Sequence, residues 1–184
     1  TEDGELASLT DEEIAGFCSL LGAAGSETVT KAVANAAVLF HRHPDQWQKV
    51  KDDPTRIPDA VEEVLRYWAP SQYQGRMSTT DMEWHGVTVP AGKPVFLLTG
   101  AANHDEREFT DPDAFDIDRD QRLAISLGHG VHTCLGAALA RMETAVAIDE
   151  IRRRWPGFTV DEDRCERVQM SNVAGYSTVP VRTN

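Results

Sequence analysis

Residues 126–141 read SLGHGVHTCLGAALAR. The stretch sets Cys134 at the end of a loop punctuated by Gly128 and Gly130, and at the start of a helix-forming run. Beyond the cysteine, Gly136, Ala137, Ala138 and Ala140 keep the first helical turns slim enough to lie against something bulky. A thiolate at a helix N-terminus is stabilised by free N–H groups and by the positive end of the helix dipole. That arrangement suits a soft ligand bond to iron. The same residues also read as a small buried cysteine in a tight turn, and other parts of the chain have to decide between the two.

The 184 residues suffice for one hydrophobic core without disulfide staples. With 41% hydrophobic and 26% charged residues, the composition is that of a soluble globular protein. No apolar run reaches the length of a membrane span and no secretory signal is present, so neither a membrane nor export is expected. Cys18, Cys134 and Cys165 are an odd set without framework spacing, which points to reduced thiols and a cytoplasmic location. A net charge of −12 argues against nucleic acid as a partner. The chain opens at Thr1 without a methionine and enters a long, buried-looking helix almost at once, as the middle of a larger domain would.

After a leader at residues 1–8, residues 9–42 form the long helix. Thr10 and Glu13 have capping-box spacing, and Leu9 and Ile14 can staple the entry. Ile14, Phe17, Cys18 and Leu21 then recur at helical spacing. About thirty residues would span roughly 45 Å. The middle of this helix, Gly22 to Thr28 (GAAGSET), replaces bulky residues with small ones and adds a carboxylate and a hydroxyl. Paired glycines weaken a helix, and Thr28 can turn its hydroxyl back to an earlier carbonyl. The segment reads either as close packing against a crossing helix or as room for a ligand over a locally opened helix.

Residues 45–70 hold two helices, Asp45 to Lys51 and Asp59 to Trp68; on the second, Glu63 and Arg66 share a face. Val61, Val64, Leu65 and Tyr67 around them suggest burial on more than one side, where an ion pair is structural and costly to break. Residues 71–98 turn to strands, with a hairpin at Met82–Val89 around His85-Gly86 and an apolar strand at Val95 to Leu98. Residues 99–125 form a meander rich in proline and aspartate, anchored by Phe109 and Phe115. The cysteine loop occupies 126–136 and a helix 134–155, with Leu139, Met142, Val146 and Ile148 facing the core. Late strands fill 156–184.

Four sites remain to be explained together: Gly25-Ser26-Glu27-Thr28, Glu63-x-x-Arg66, Arg76, and Gly128-x-Gly130-x-His132-x-Cys134-x-Gly136. In this order they resemble the haem-thiolate monooxygenases, the cytochrome P-450 family, in its soluble bacterial form. The resemblance runs from about Leu9 to the C-terminus. It implies a mainly α fold with small β-sheets, of which this chain is the C-terminal, haem-ligating part with a long central helix. The implied cofactor is haem b, iron protoporphyrin IX. The implied activity is hydroxylation or a related oxidation of a small organic substrate with O2, fed with electrons by a ferredoxin-type donor and its NAD(P)H-dependent reductase.

Position by position, Cys134 resembles the axial thiolate ligand of the haem iron, whose electron donation favours O–O cleavage. Gly128, Gly130 and Gly136 would let backbone N–H groups approach the sulfur. His132 and Arg76 resemble the donors to haem propionates. Ala24, Gly25, Glu27 and Thr28 match the distal helix segment, where the acid–alcohol pair Glu27 and Thr28 is expected to deliver protons for oxygen activation. Glu63, Arg66 and Arg119 resemble a buried structural ion network. Leu21, Ala24, Tyr73, Gln74, Val173 and Ala174 are expected to wall the substrate pocket.

The sequence departs from the family pattern in three ways. Leu127 stands where the family usually has phenylalanine, His104 sits where an arginine often follows the asparagine, and the N-terminal half of the fold is missing. Two other readings compete. His129, His132 and Cys134 could be three zinc ligands, although structural zinc takes four, usually from two separated pairs. Alternatively, the chain is a haem-free fragment acting only as a structural or interaction module, with a large exposed apolar surface.

Overall fold

The computed structural model describes residues 8–183, so the leader expected at residues 1–8 lies almost wholly outside the described residues. Helix α1 runs unbroken from Asp11 to Arg42. Its capping box is formed: the Glu13 amide donates to Thr10 Oγ1 at 3.3 Å, and the Thr10 amide donates to Glu13 Oε2 at 2.8 Å. Each bond satisfies an amide that the first turn would otherwise leave without a partner.

Only the second half of α1 enters the core, through Ala32, Ala36, Val38, Leu39 and Phe40. Ile14, Phe17, Cys18 and Leu21 face solvent, which corrects the expectation of a helix buried from its start. The physical reason is local: no described element covers this end of α1. Close packing at Gly22 and Gly25 is also absent, since a Cβ built on either would meet nothing within 4 Å. The helix is not opened there either. It stays α-helical through Gly22 to Thr28.

Helices α2 (Pro44–Asp52) and α3 (Ile57–Tyr67) follow, and α3 is buried on several faces. Strand β1 (Gln74–Met77) pairs antiparallel with β4 (Pro94–Leu97), and between them β2 (Met82–Trp84) and β3 (Val87–Val89) form a hairpin. His85 and Gly86 both take positive φ (50° and 77°), as the two central residues of a tight hairpin turn require for its twist to match the strands. After the short helix α4 (Thr99–Ala102), the meander buries Phe109 and Phe115. Helix α5 spans Ala137–Arg154. The chain ends in two small antiparallel pairs, β5 (Thr159–Val160) with β8 (Val181–Arg182) and β6 (Glu166–Arg167) with β7 (Tyr176–Thr178).

Two expectations about α5 need correction. The helix starts at Ala137, not at Cys134, because the Cys134 amide is committed backwards to the Leu127 carbonyl at 2.7 Å. Its core face is only partly the expected one. Ile148 is buried as expected, with Ala137 and Thr144 beside it, whereas Leu139, Met142 and Val146 are exposed. The buried positions are separated by seven and four residues, which keeps them on one stripe of the helix.

At the centre, Glu63 and Arg66 are each 0% exposed. Arg66 donates Nε and Nη2 to the two Glu63 oxygens at 2.7 and 2.8 Å. Its remaining N–H groups reach the carbonyls of Asn103 (2.8 Å), Pro112 (2.9 Å) and Ala114 (3.2 Å). Glu63 also accepts from the Asp116 amide at 2.9 Å and from Gln121 Nε2, and Arg119 Nε stands 3.5 Å from it. Removing one partner of such a pair leaves a buried charge uncompensated. Glu63→Ala is therefore expected to lower the unfolding free energy by about 3–5 kcal/mol in urea titrations, and Arg66→Ala should cost a similar amount.

Candidate active site

A cavity of about 490 Å³ opens between α1, the cysteine loop and the start of the β1–β4 pair. Helix α1 contributes Ala24, Thr28, Val29 and Ala32 to its lining. The loop and α5 contribute Ile125, Ser126, Leu127, Gly128, His129, His132, Cys134, Ala140 and Thr144. Leu65, Pro70, Ser71, Gln74, Arg76, Leu97 and Thr99 complete it.

The loop is held in shape by short-range bonds. Gly128 has φ +77°, and a Cβ added there would lie 2.5 Å from the His132 carbonyl oxygen. Gly130 also has positive φ (61°) but open space around it. The turn Gly130–His132 is closed by the Thr133 hydroxyl, which donates to the Gly130 carbonyl at 2.8 Å. From below, Ser126 Oγ donates to the Leu65 carbonyl at 2.7 Å and accepts from Asn103 Nδ2 at 2.8 Å, while the Ile125 amide donates to Asn103 Oδ1 at 2.9 Å. Asn103 also gives its carbonyl to Arg66. The base of the loop is thus tied to the buried ion network.

Cys134 is a free, exposed thiol on the lining. Arg141, which the sequence reading did not single out, forks onto Glu62, and that bond holds its guanidinium above the ordinary value, with the negative form of Cys134 adding in the same direction. Arg76 donates to the Gly75 carbonyl at 2.9 Å and has no carboxylate partner among the described residues. The Thr28 hydroxyl donates back to the Ala24 carbonyl at 3.0 Å.

Other expected residues lie elsewhere. Glu27 is outside the cavity: it pairs with Lys31 at 3.4 Å and faces a separate groove with Glu166, Arg167 and Met170. The acid and the alcohol are therefore not brought together, because successive helical residues point about 100° apart. Gly25 and Gly136 do not line the cavity, and Leu21 is exposed to solvent. Of the expected substrate wall, Ala24 and Gln74 line it, but Tyr73 packs its ring on Phe96. Val173 and Ala174 lie behind it, bridged to Ser71 and bonded to the Pro70 carbonyl. Conversely, Ala32 and Thr144 were missed. Ala32 follows Ala24 and Thr28 at four-residue steps, a signal the sequence did carry.

The zinc reading fails on geometry: among the described residues no three His, Cys, Asp or Glu side chains could hold a metal ion, so His129, His132 and Cys134 do not converge.

The family model for cytochrome P-450 matches residues 1–172. The chain belongs to the cytochrome P-450 family. It is 44% identical over 174 residues to cytochrome P-450 123 of Mycobacterium tuberculosis, covering 94% of this chain and 43% of that one. It is 43% identical over 152 residues to the biotin biosynthesis cytochrome P-450 of Bacillus subtilis, covering 83% and 38%. Among solved structures, P450BioI in complex with an acyl carrier protein ligated to hexadec-9Z-enoic acid superposes with a TM-score of 0.91 at 39% identity, over 96% of this chain and 46% of that one. CYP109E1 from Bacillus megaterium in complex with testosterone gives 0.91 at 34%, over 97% and 50%. The chain spans less than half the length of the curated relatives it matches, and its fold is the P-450 fold, mainly α with small sheets.

The P-450 family implies a haem, and the lining fits one. The walls are apolar at Val29, Ala32, Leu65, Leu97, Ile125 and Leu127, a soft thiol is present, and the cation of Arg76 has no internal counter-charge for carboxylates to displace. Thr144 adds a buried hydroxyl with no hydrogen-bond partner among the described residues. The loop itself offers a direct test. Gly128→Ala should destabilise the fold by more than about 1–2 kcal/mol, the cost of the left-handed conformation alone, and should alter the rate at which Cys134 reacts with a thiol reagent. Gly130→Ala, with open space around it, should show the conformational cost only.

Proposed function

We propose that this chain is the haem-holding part of a monooxygenase that inserts one oxygen atom of O2 into a small organic substrate and releases the other as water, using two electrons and two protons. One observation carries the reading: Thr28, Arg76 and the loop pair His132 and Cys134, from three distant segments of the chain, line a single largely apolar cavity. When bound, haem b would supply the O2-activating iron.

In this reading Cys134 would hold the haem iron as a thiolate, which would supply the electron donation that distinguishes such sites from imidazole-ligated ones. The bend at Gly128 and Gly130 presents the sulfur from a turn, not from within a helix. Arg76 and His132 would hold the haem's carboxylates by charge-assisted bonds. Ala24, Ala32 and Ala140 keep the walls low enough for a flat group to lie between α1 and α5. The Thr28 hydroxyl, resting on the Ala24 carbonyl, turns inward to pass a proton into the cavity. Glu27 supplies that proton only by exchanging Lys31 for the cavity side. Gln74 and Leu97 meet the substrate, with residues 173–174 supporting that wall from behind. A ferredoxin-type protein with an NAD(P)H-dependent reductase delivers the electrons, in the cytoplasm. No helix of the described residues is long and apolar enough to cross a membrane.

The decisive measurement is a spectrum of the haem-loaded chain, reduced under carbon monoxide. The red-shifted Soret band of thiolate ligation is expected, and it should vanish in Cys134→Ser. A native spectrum identical to that of the serine variant would refute the assignment. Arg76→Ala should release haem to an apo-acceptor about tenfold faster, the equivalent of losing one hydrogen bond to a charged group.

A further inference from the structure

A second concave site, a groove of about 660 Å³, lies on the outer side of α1, between Lys31 and the β6–β7 pair. Two local features shape it. Successive strand residues ordinarily point to opposite faces, yet Glu166 and Arg167 both line the groove, because the β6–β7 register breaks between them. Opposite them, Gly175 lets the β6–β7 connection press on α1. Its φ is +149°, and a Cβ there would lie 2.8 Å from the Lys31 Cβ. The stem of Lys31 is clamped by this approach, and its side chain is only 12% exposed.

Two cations meet the groove. Lys31 Nζ stands 3.4 Å from Glu27 Oε2, its one ion-pair contact among the described residues. Arg167 has no carboxylate partner among the described residues. Its guanidinium lies 4.9 Å from the Trp68 ring centroid and 4.8 Å from that of Tyr176, and it gives one N–H to the Tyr176 hydroxyl at 3.2 Å. Stacking on the rings orients the fork and leaves further N–H groups along its edge. Besides Glu27, the groove holds one opposing charge, Glu166, whose Oε2 accepts from Thr178 Oγ1 at 3.3 Å. Val168 and Met170 add apolar surface.

An oriented guanidinium beside a largely desolvated ammonium matches a carboxylate, which takes paired N–H bonds from the first and a charge-assisted bond from the second. Glu27 holds Lys31 only through a partly exposed pair one helical turn apart, and such pairs are weak. We propose that this groove binds a small carboxylate with an apolar body, its oxygens on Arg167 and Lys31 and its body against Val168 and Met170. The ligand competes with Glu27 for Lys31, so occupancy frees the Glu27 carboxylate. Binding does not rest on the haem reading; only the consequence for proton delivery does.

Benzoate titrated into the full chain, followed by proton–nitrogen amide spectra, tests the proposal. A dissociation constant of about 1 mM is expected for so small a ligand, with the largest shifts at Lys31 and at residues 166–170. Arg167→Gln and Lys31→Gln should each weaken binding about tenfold, the loss of a hydrogen bond to a charged group. Glu27→Gln should tighten it about twofold, the worth of the pair it removes. Benzyl alcohol, of similar shape but without charge, should not displace benzoate. The cavity at Arg76 is a rival site for any carboxylate, so Arg76→Ala should leave these shifts unchanged. Loss of the shifts in Arg76→Ala, unweakened binding in Arg167→Gln, or displacement by equimolar benzyl alcohol overturns the site. Weaker binding in Glu27→Gln overturns the competition. Should Lys31→Gln fail to fold, Arg167→Gln and the alcohol decide.

Discussion

The interaction on which this fold depends most is the buried guanidinium of Arg66. Its five hydrogen bonds go to both oxygens of Glu63 and to three carbonyls spread from Asn103 to Ala114. A guanidinium stripped of water is tolerated only when its donors are satisfied and its charge is matched. Both conditions are met here, and meeting them fixes the path of more than ten residues of irregular chain. The meander has little regular structure of its own, so α3 is its template. Because Asn103 bonds Arg66 with its backbone and Ser126 with its side chain, the same guanidinium also sets where the cysteine loop begins. An ion pair of this kind is weak evidence for added stability over an apolar core. Its value lies in specifying one arrangement of loops.

The loop above that base shows how an exposed sulfur is presented without a helix beneath it. The sequence suggests a cysteine at a helix N-terminus, stabilised by the dipole. The structure instead interposes Leu135 and Gly136 before α5, and ties the Cys134 amide to Leu127. Positive φ at Gly128 then lets the chain reverse where a side chain would collide with the His132 carbonyl. Arg141, on the first turns of α5, is held on Glu62. Leu127, in place of the bulkier ring the family pattern leads one to expect, lines the cavity and packs partly into the core. The thiol thus sits among backbone bonds and one anchored arginine.

Much of this was legible from residues alone, for physical reasons that differ by element. The capping box at Thr10 and Glu13 and the His85-Gly86 turn are local events, so short sequence patterns determine them. Glu63 and Arg66 were readable because a charged pair among Val61, Val64 and Leu65 has few places to go except inside. The face of α5 was readable only at Ile148. Leu139, Met142 and Val146 are also apolar at helical spacing, yet the small Ala137 and Thr144 join Ile148 on the stripe that meets the core. The exposed start of α1 misled for the same kind of reason. Periodicity marks a face able to pack, and only the neighbours decide whether it does.

The candidate site was legible to a similar degree. Cys134, His132, Arg76, Ala24 and Thr28 line one cavity although they come from three separate segments; the cysteine loop and the small-residue stretch stood out by residue type, while His132, Arg76 and Ala24 were picked out by the family resemblance. Glu27 does not join them: the cavity face of α1 runs through Ala24, Thr28, Val29 and Ala32, and Glu27 falls on the other side of Thr28 from Val29. Had the ladder opened between them, the two side chains could have converged, but α1 remains continuous and the Thr28 hydroxyl bonds back to Ala24 without breaking it. Lys31, one turn onward, then captures the carboxylate on the outer side. Any proton path that uses both residues must therefore run around the helix between the groove at Lys31 and the cavity at Thr28, so that breaking the Glu27–Lys31 pair becomes part of the transfer.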